Sequence, residues 1–391
     1  MTAALLNSLV TRLSPPPIPA VQAWGKSYGG GRGPLIDLSQ AVPGYPPHPD
    51  MLQWLGEAGA SLAYTNYGPI EGEDSLRTAY AAHVSDLYGA KIDAANIHIT
   101  SGCNQAFIST AMAVAAAGDR VLMSDPYYFN HETTLSMLGI KTGFVACDSA
   151  NGFVPTIKAL ERALTPDVRA LALVTPNNPT GAVYPPERLE AIFDICRRNG
   201  IWLILDETYR DFLPEGSERP HGLLGRKDWQ DNLVQLYSFS KSFCIPGHRL
   251  GALTAGENVV EEVAKIMDNL QICAPRAAQG AVARALPALT EWRAGNRHEI
   301  DLRARALREV MTDLGGWKLE AIGAYFAFVR HPFEDRPSTE VAEQLAKQAG
   351  IISIPGEYFG AGHTRFLRFA FANADAETIR QLRHRMVDFS L

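Results

Sequence analysis

Short apolar runs alternate with helix-like stretches along the first two thirds of this 391-residue chain. Apolar strands separated by helices indicate strands that are buried on both faces, which is typical of a mostly parallel sheet. The pattern therefore predicts an α/β fold. The strand candidates are "NIHITSG" (96–102), "RVLMSDP" (120–126), "KTGFVACD" (141–148), "ALALVTP" (170–176), "IWLILDE" (201–207) and "LVQLYS" (233–238).

The segments between these runs carry helix signals. In 185–200, Pro186 suits a first helical turn and Gly200 suits the end of the helix. The alanine-rich segment 104–118 ends at Gly118 in the same way. These signals predict helices that connect the strands of the sheet.

The length and the later pattern predict two domains. By composition, the first 35 or so residues form a loop-rich arm. After Arg249 come long helical patterns and then strand pieces around one further helix, which indicates a smaller α+β domain. The predicted units are an arm with part of the small domain (1–45), a large cofactor-binding domain (46–280) and a small C-terminal domain (281–391).

Composition excludes several classes of protein. The net charge is −6, and no basic stripe points to nucleic acid or to an anionic membrane surface. Five scattered cysteines without a CxxC pair argue against a disulfide framework and a zinc site. No secretory leader is recognised, and no apolar run reaches the length of a membrane span. A cytoplasmic protein without a metal is expected.

Polar and aromatic residues follow four of the six strand candidates. In open α/β sheets, ligands bind beyond the carboxyl ends of the strands, so these positions are where chemistry is expected. The four strand ends are Asp125–Tyr128, "PNNPTG" (176–181), Asp206–Tyr209 and Ser238–Lys241.

Lys241 is the most informative of these residues. A lysine that is shielded at a strand end has its ammonium form disfavoured, which leaves an amine able to form an imine. Taken alone, Lys241 is better interpreted as a surface lysine in a loop. Asp206 strengthens the chemical interpretation, because a carboxylate after four apolar residues needs a cation, and a protonated pyridine nitrogen is one.

The remaining groups at the strand ends could all bind different parts of one ligand. Tyr209 and Asn178 can bind a phenolate-type ring oxygen, and Tyr128 offers a face for stacking. The start of a helix at 102–104 suits a phosphate through its free N–H groups. Pyridoxal 5′-phosphate, held by a lysine with an aspartate on its ring nitrogen, needs all of these groups. The predicted phosphate donors are Gly102, Cys103, Asn104, Ser238, Ser240 and Arg249.

The chain resembles the fold-type I aminotransferases of class I/II over about residues 35–385. The lysine motif with an arginine eight residues later, preceded in order by NPTG and DxxY, is highly specific. The matching segments are "YGPIEGEDSLR" (67–77), "TSGCNQA" (100–106), "DPYYFNH" (125–131), "TPNNPTG" (175–181), "DETYRDF" (206–212), "SFSKSFCIPGHRLG" (238–251), "IPGEYFG" (354–360) and "FLRFAFAN" (366–373).

The resemblance implies a fold and further roles. The fold would be a large domain with a mostly parallel, seven-stranded sheet between helices, plus a smaller α+β domain. Lys241 would form the internal aldimine and shuttle the proton, with Asp206 and Tyr209 assisting. Arg368 would clamp the substrate α-carboxylate. Tyr67 would reach the phosphate of a neighbouring subunit, so a homodimer is implied. The substrates would be an amino acid and a 2-oxo acid.

Two positions depart from the family pattern. Ala41, in "LSQAVPG", stands where many relatives have glycine, close to the substrate, and would narrow the pocket. In "DNLQICAPRAAQ" no arginine occupies the position that clamps a dicarboxylate side chain, and Arg276 is nearby but offset. Aspartate or glutamate as the dedicated amino donor is therefore in question.

One alternative stays open, and the sequence argues against two others. A β- or γ-eliminating lyase on the same scaffold shares the early steps. A sensing module of a transcription regulator needs an added helix-turn-helix segment, for which residues 1–35 are too short. A nicotinamide-dependent dehydrogenase needs a GxGxxG motif after an early strand, which is missing. His131 is interpreted as a packing or supporting histidine and not as a catalyst.

Overall fold

The computed structural model describes residues 4–217 and 219–391. Their strands form sheets of seven, four and two strands. In chain order the strands are β1 (Ile36–Asp37), β2 (Ile97–Thr100), β3 (Arg120–Asp125), β4 (Lys141–Ala146), β5 (Val168–Val174), β6 (Trp202–Asp206), β7 (Leu233–Ser238), β8 (Gly251–Thr254), β9 (Lys318–Gly323), β10 (Phe326–Arg330), β11 (Ile351–Ile352), β12 (Ile354–Pro355) and β13 (Phe366–Phe369).

Helices connect most of these strands. The α-helices are α1 (Ser8–Thr11), α2 (Pro17–Gly25), α3 (Pro49–Gly59), α4 (Asp74–Tyr88), α5 (Cys103–Val114), α6 (Phe129–Met137), α7 (Ile157–Ala163), α8 (Pro186–Arg198), α9 (Phe239–Ser242), α10 (Glu257–Leu270), α11 (Arg276–Ala288), α12 (Thr290–Met311), α13 (Ser338–Gln344) and α14 (Ala376–Val387).

The seven-stranded sheet has the order β2-β8-β7-β6-β5-β3-β4 and is parallel except for β8. Its strands are apolar on both faces: Leu203 and Leu205 of β6 pack on the side of α4, α8 and α11, and Ile204 packs on the side of α5 and α10. Side chains alternate across a strand, so a sheet covered on both sides requires apolar residues at successive positions. The predicted fold class is confirmed.

The reversed strand β8 explains the spacing between Lys241 and Arg249. β8 is antiparallel to both β7 and β2, and Gly251 pairs with Ser238 on one side and with Thr100 on the other. The residues before β8 therefore lie at the edge where β2 and β7 end. This topology brings Arg249 beside the start of α5.

The two smaller sheets are built from strands near the N-terminus and in the C-terminal part of the chain. The four-stranded sheet has the order β12-β13-β10-β9, and β1 pairs in parallel with β11. Arg368 lies on β13, between Phe328 of β10 and Ile354 of β12. The pairing of β1 with β11 also brings the segment after β1 next to the end of β13. There the Ala370 N–H donates to Leu38 O at 2.8 Å. The domain boundaries 45/46 and 280/281 stay a prediction.

The loop-rich assignment of the first 35 residues is wrong for α2. Pro17 occupies the first turn of this helix, where its fixed φ and its missing N–H cost nothing. The prolines of "SPPPIPA" thus start a helix as well as mark a loop. The predicted helix 104–118 ends earlier, at Val114. Within residues 4–217 and 219–391, no helix has the length and apolar content needed to cross a membrane.

Candidate active site

A cavity of about 380 Å³ lies at the carboxyl edge of the seven-stranded sheet. The sheet register explains why the predicted groups meet there, since Val174, Asp206 and Leu236 are direct neighbours across β5, β6 and β7. The predicted residues that line the cavity are Ala41, Cys103, Asn104, Tyr128, Asn178, Asp206, Tyr209, Ser238, Ser240, Lys241, Arg249 and Arg368.

Lys241 lies in the short helix α9, directly after β7, and is half-buried. Its Nζ donates to Ala41 O at 2.5 Å. Burial lowers the pKa of the Lys241 amine to about 8, and the positive charges of Arg249 and Arg368 act in the same direction. A minor but appreciable fraction of this amine is therefore neutral and nucleophilic near physiological pH, far more than for an exposed lysine.

The lowered pKa of Lys241 predicts a pH-dependent stability. In cofactor-free protein, the unfolding free energy contributed by this residue should rise between about pH 8 and 10.5. In that window the unfolded chain binds more protons than the folded chain, so raising the pH favours folding. Urea denaturation of the wild type and of Lys241→Met at several pH values isolates this effect, because methionine has no charge. A stability difference between the two proteins that is constant over this window would contradict the prediction.

Asp206 is a buried carboxylate at the end of β6. Its Oδ2 lies 3.3 Å from His131 Nε2, and its Oδ1 accepts the Thr208 N–H at 3.0 Å. The His131 ring stacks on Phe107 with 3.7 Å between the ring centroids. Burial alone would raise the pKa of Asp206, but the contacts with His131 and Thr208 outweigh burial and lower it. An ionised carboxylate in the cavity wall fits a cationic ring nitrogen.

The start of α5 and its surroundings fit a phosphate group. The first amides of a helix, here those of Cys103 and Asn104, have no partner within the helix and attract anions. Gly102 has φ +85°, and a Cβ at this position would lie 2.5 Å from Arg249 Nη2. Glycine therefore lets the guanidinium approach the helix start. Among the described residues, the buried Ser240 Oγ finds no hydrogen-bond partner.

Two predicted phosphate donors already have local roles. Ser238 caps α9, since its Oγ accepts the Ser240 N–H at 3.3 Å. Burial raises the pKa of the Cys103 thiol well above its usual range, and the charge of Asp206 acts in the same direction. A neutral thiol is a poor nucleophile, so the backbone N–H is the group that Cys103 can contribute.

Arg368 is buried, and no carboxylate of the described residues pairs with it. Its Nη1 donates to Asn178 Oδ1 at 3.0 Å and its Nη2 donates to Ser39 O. The guanidinium lies 5.0 Å and 5.1 Å from the ring centroids of Phe326 and Phe359. Burial lowers its pKa to about 10, which still leaves it charged near neutral pH. A buried cation that forms no salt bridge with any described residue is suited to an anionic ligand.

The two tyrosines of the cavity, Tyr209 and Tyr128, keep their hydroxyl protons and present aromatic rings for packing. Burial raises the pKa of Tyr209 well above its usual range, so its phenol keeps the proton. Burial also raises the pKa of Tyr128 to about 12, and its hydroxyl accepts a hydrogen bond from Asn130 at 2.7 Å. The Tyr128 ring meets the His131 ring edge-on, with centroids 5.1 Å apart.

Tyr67 and Arg276 lie outside the cavity. The Tyr67 side chain is 78% exposed, so it does not serve the cavity of its own chain. Arg276 Nε forms a 2.5 Å salt bridge with Glu73, and its Nη1 donates to Asn66 O at 2.8 Å. Gly102 does not line the cavity either, but the absence of a side chain at Gly102 leaves room for the Arg249 guanidinium beside the start of α5.

Some cavity residues were not anticipated from the sequence. The Thr208 backbone N–H donates to the Asp206 carboxylate, and the Asn130 side-chain amide donates to the Tyr128 hydroxyl. The segment Pro16–Ile18 forms part of the wall although it lies far away in the sequence. Pro17 could have indicated from the sequence that a helix begins in this segment, because proline is favoured in a first helical turn. In the described parts of the chain, no group of three or more His, Cys, Asp or Glu side chains could hold a metal ion.

Comparisons with known proteins agree with this geometry. The family model described as aminotransferase class I and II matches residues 33–386. An aromatic aminotransferase of Arabidopsis thaliana is 29% identical over 352 residues, covering 88% of this chain and 87% of the relative. An aspartate aminotransferase of Sulfolobus acidocaldarius is 28% identical, with 88% of each chain covered.

The solved structures agree as well. A single mutant of the aspartate aminotransferase of Thermus thermophilus superposes with a TM-score of 0.90. The two sequences are 26% identical, and the match covers 98% of this chain and 99% of the other. The similarity thus extends over both the large sheet and the small sheets.

Proposed function

The chain belongs to the aminotransferase class I and II family, and from this premise we propose a role for each side chain of the cavity. The protein is an aminotransferase, which moves an amino group between an amino acid and a 2-oxo acid. The matched relatives are named aminotransferases, so the eliminating-lyase alternative is not favoured.

The observation that carries the proposal is the position of the Lys241 amine. The pKa of this amine is lowered to about 8, and it shares one cavity with the ionised Asp206 and the charged Arg368. An amine, a carboxylate and a carboxylate-binding cation are the groups that amino transfer requires.

Members of this family use pyridoxal phosphate, and the cavity fits it. The chemistry that this cofactor supplies when bound is a carbonyl carbon that accepts the amino group and a protonated ring that withdraws electrons. The amides of Cys103 and Asn104, Ser240 Oγ and Arg249 would hold its phosphate. Ser238 would support them through its cap on α9.

Lys241 and Asp206 would carry the proton chemistry. Lys241 Nζ would attach the cofactor and would be released as a free amine when the substrate amino group takes its place on the cofactor carbon. The freed amine would then remove the proton from the substrate α-carbon, because a base is most effective when its pKa lies near the working pH. Asp206, oriented by His131, would keep the ring nitrogen protonated. The Tyr209 hydroxyl and the Asn178 amide would donate to the ring oxygen, and Tyr128 would stack on the ring.

Arg368 would bind the α-carboxylate that all amino-acid and 2-oxo-acid substrates share. A guanidinium matches a carboxylate with two parallel N–H bonds, whereas an ammonium cannot. Substrate would replace the present contacts to Asn178 and Ser39. Ala41, whose carbonyl accepts the Lys241 amine, would narrow the cavity beside the substrate.

Arg368→Lys should lower kcat/KM for every amino-acid donor by a similar factor, about 10- to 100-fold, as expected for a charge-assisted contact. The assay compares three donors with different side chains and one amine without a carboxylate. Arg365→Lys is the matched control, since Arg365 is near in sequence but outside the cavity. A loss confined to one donor, or an equal loss for the carboxylate-free amine, would show that Arg368 is not the carboxylate clamp.

A homodimer and a cytoplasmic location are also proposed, each from a different observation. Tyr67, exposed and outside its own cavity, would reach the phosphate in a partner subunit, which implies a homodimer. All five cysteines are free, which is consistent with a reducing compartment, and a cytoplasmic location is proposed on that basis.

A further inference from the structure

The short helix α9 is bonded to the protein core on a side that does not face the cavity. Lys241 lines the cavity, whereas the next residue, Ser242, is buried and is not part of the cavity wall. Ser242 Oγ lies 2.7 Å from the Tyr237 hydroxyl. Because α9 has only four residues, it has few backbone hydrogen bonds of its own, and side-chain bonds contribute much of its anchoring. The contact with Tyr237 therefore fixes the backbone from which the Lys241 side chain extends.

The Tyr237 hydroxyl is itself held by a largely buried carboxylate. It donates to Asp211 Oδ2 at 2.6 Å, so the Ser242 hydroxyl is the donor in the contact between the two hydroxyls. Asp211 Oδ1 lies 3.4 Å from Arg293 Nη1. Burial would raise the pKa of Asp211, but the charges of Arg293 and Arg210 outweigh burial and lower it. Asp211, Tyr237 and Ser242 thus form a continuous hydrogen-bonded chain with an ionised acceptor at one end, which we call the α9 anchor.

The ring of Tyr237 leaves its hydroxyl little freedom to move. The ring is fully buried and stacks on Tyr80 with 5.5 Å between the centroids, and the Arg210 guanidinium lies 4.0 Å from its centroid. Tyr237 also belongs to β7, where it pairs with Ala252 of β8. Reacting groups are held most precisely by residues that packing and hydrogen bonds lock in place. The α9 anchor meets this condition because its central member is part of the seven-stranded sheet.

The α9 anchor begins in the segment that also carries Asp206. Asp206 ends β6 and lines the cavity, and Asp211 follows five residues later in the turn Arg210–Phe212. The roles proposed for Asp206 and Tyr209 leave Asp211 without one. One short segment therefore supports both groups of the proposed proton chemistry, because it supplies Asp206 itself and holds Lys241 through the α9 anchor.

We propose that the α9 anchor positions Lys241, which makes Tyr237 and Ser242 positioning residues for amino transfer. The anchor holds the end of α9 so that the Lys241 amine stays at the cavity wall, 2.5 Å from Ala41 O. The inference deepens the proposed function, and its kinetic consequences rest on that function. A reacting group that is displaced by about 1 Å can lose about 100-fold in rate, so small movements of α9 matter.

The first test follows the Lys241 amine in the full-length, cofactor-free chain. Labelling with trace acetic anhydride over a range of pH, followed by peptide mapping, gives the titration midpoint of this amine. Burial and the charges of Arg249 and Arg368 lower its pKa to about 8. In Tyr237→Phe and in Ser242→Ala the amine should gain access to water, so its pKa should rise toward the ordinary 10.5. The neutral fraction at pH 8 should fall about threefold.

Tyr88→Phe is the matched control. Tyr88 is buried in the same apolar cluster as Tyr237, and its hydroxyl donates to the buried Glu207 carboxylate at 2.7 Å. The control therefore removes one oxygen from a tyrosine–carboxylate pair that is not part of the α9 anchor, and the Lys241 midpoint should keep its wild-type value. The double variant of Tyr237→Phe and Ser242→Ala should resemble the more affected single variant, because both changes break one chain.

The second test is kinetic and uses the cofactor-loaded enzyme. Tyr237→Phe and Ser242→Ala should each lower kcat about tenfold, because the base is less well placed. The KM for the amino donor should stay within about twofold of wild type, because the α9 anchor does not line the cavity. Circular dichroism checks that each variant is folded.

The two tests separate this inference from the proposed function. An inactive wild type would refute the proposed function, and the labelling of Lys241 would still decide on the α9 anchor. The inference is overturned if folded Tyr237→Phe and Ser242→Ala both keep the wild-type midpoint. An equal shift in Tyr88→Phe, or a shift in the double variant as large as two independent effects, would overturn it as well. Should Tyr237→Phe fail to fold, Ser242→Ala, which removes only one oxygen, decides the outcome.

Discussion

Lys241→Ala should lower the turnover of amino transfer by about 1,000-fold or more, since a positioned proton-transfer group contributes about 10²–10⁴-fold and this residue also provides the attaching amine. The variant should stay folded, because alanine removes an amine whose burial is unfavourable. Turnover is measured with an amino donor and an oxo-acid acceptor, and folding by circular dichroism.

Lys265→Ala is the control for Lys241→Ala. It makes the same change at an exposed position of α10, where the Lys265 ammonium forms a salt bridge with Glu262, and should retain wild-type turnover. Borohydride treatment of cofactor-loaded wild type followed by peptide mapping should locate the attached cofactor on Lys241. Retention of more than about a thousandth of the turnover in Lys241→Ala would rule out Lys241 as the essential base.

Asp206→Asn should lower turnover by about 10²–10³-fold, the range for removing one electrostatic group that acts on developing charge. Asparagine keeps the shape and can still accept the Thr208 N–H, but it removes the negative charge that would keep a ring nitrogen protonated. The cofactor should remain bound, because the phosphate donors lie on other elements. Turnover and the pH dependence of the bound cofactor's absorption are the measurements.

Glu207→Gln is the control for Asp206→Asn. Glu207 is the next residue and is also buried, but it faces Tyr88 and Gln235 instead of the cavity. Its substitution should reduce stability, because it disturbs a buried polar network, without changing the cofactor's absorption. Near-normal turnover of cofactor-bound Asp206→Asn would mean that Asp206 does not face the ring.

The class of fold and the centre of the site could be predicted from local sequence. Apolar strands with helices between them produce a parallel sheet, and a parallel sheet brings the ends of its strands to one edge. Asp206 and Lys241 follow β6 and β7 directly, so their meeting requires only the correct strand order. The family resemblance added Arg368, which no local rule connects to this edge.

The support for the central groups depended on packing between distant elements. His131 reaches Asp206 because α6 begins beside β6, although α6 follows β3 in the chain. The sequence allowed His131 a supporting role but did not identify its partner. Helix α2 was missed because its prolines were interpreted as loop signals, and the proline at its start became meaningful once the helix had a surface to pack on.

The sequence by itself determined which strands are buried and which reactive groups stand at their ends, since both depend on neighbouring residues and on the two-residue period of a strand. Tertiary structure alone decided what surrounds those groups. Ile18, Phe129 and Arg368 are far apart in the chain and meet in one wall of the cavity. Such a wall is created when β1 pairs with β11 and α2 packs nearby, and these long-range contacts leave no periodic trace in the segments that they join.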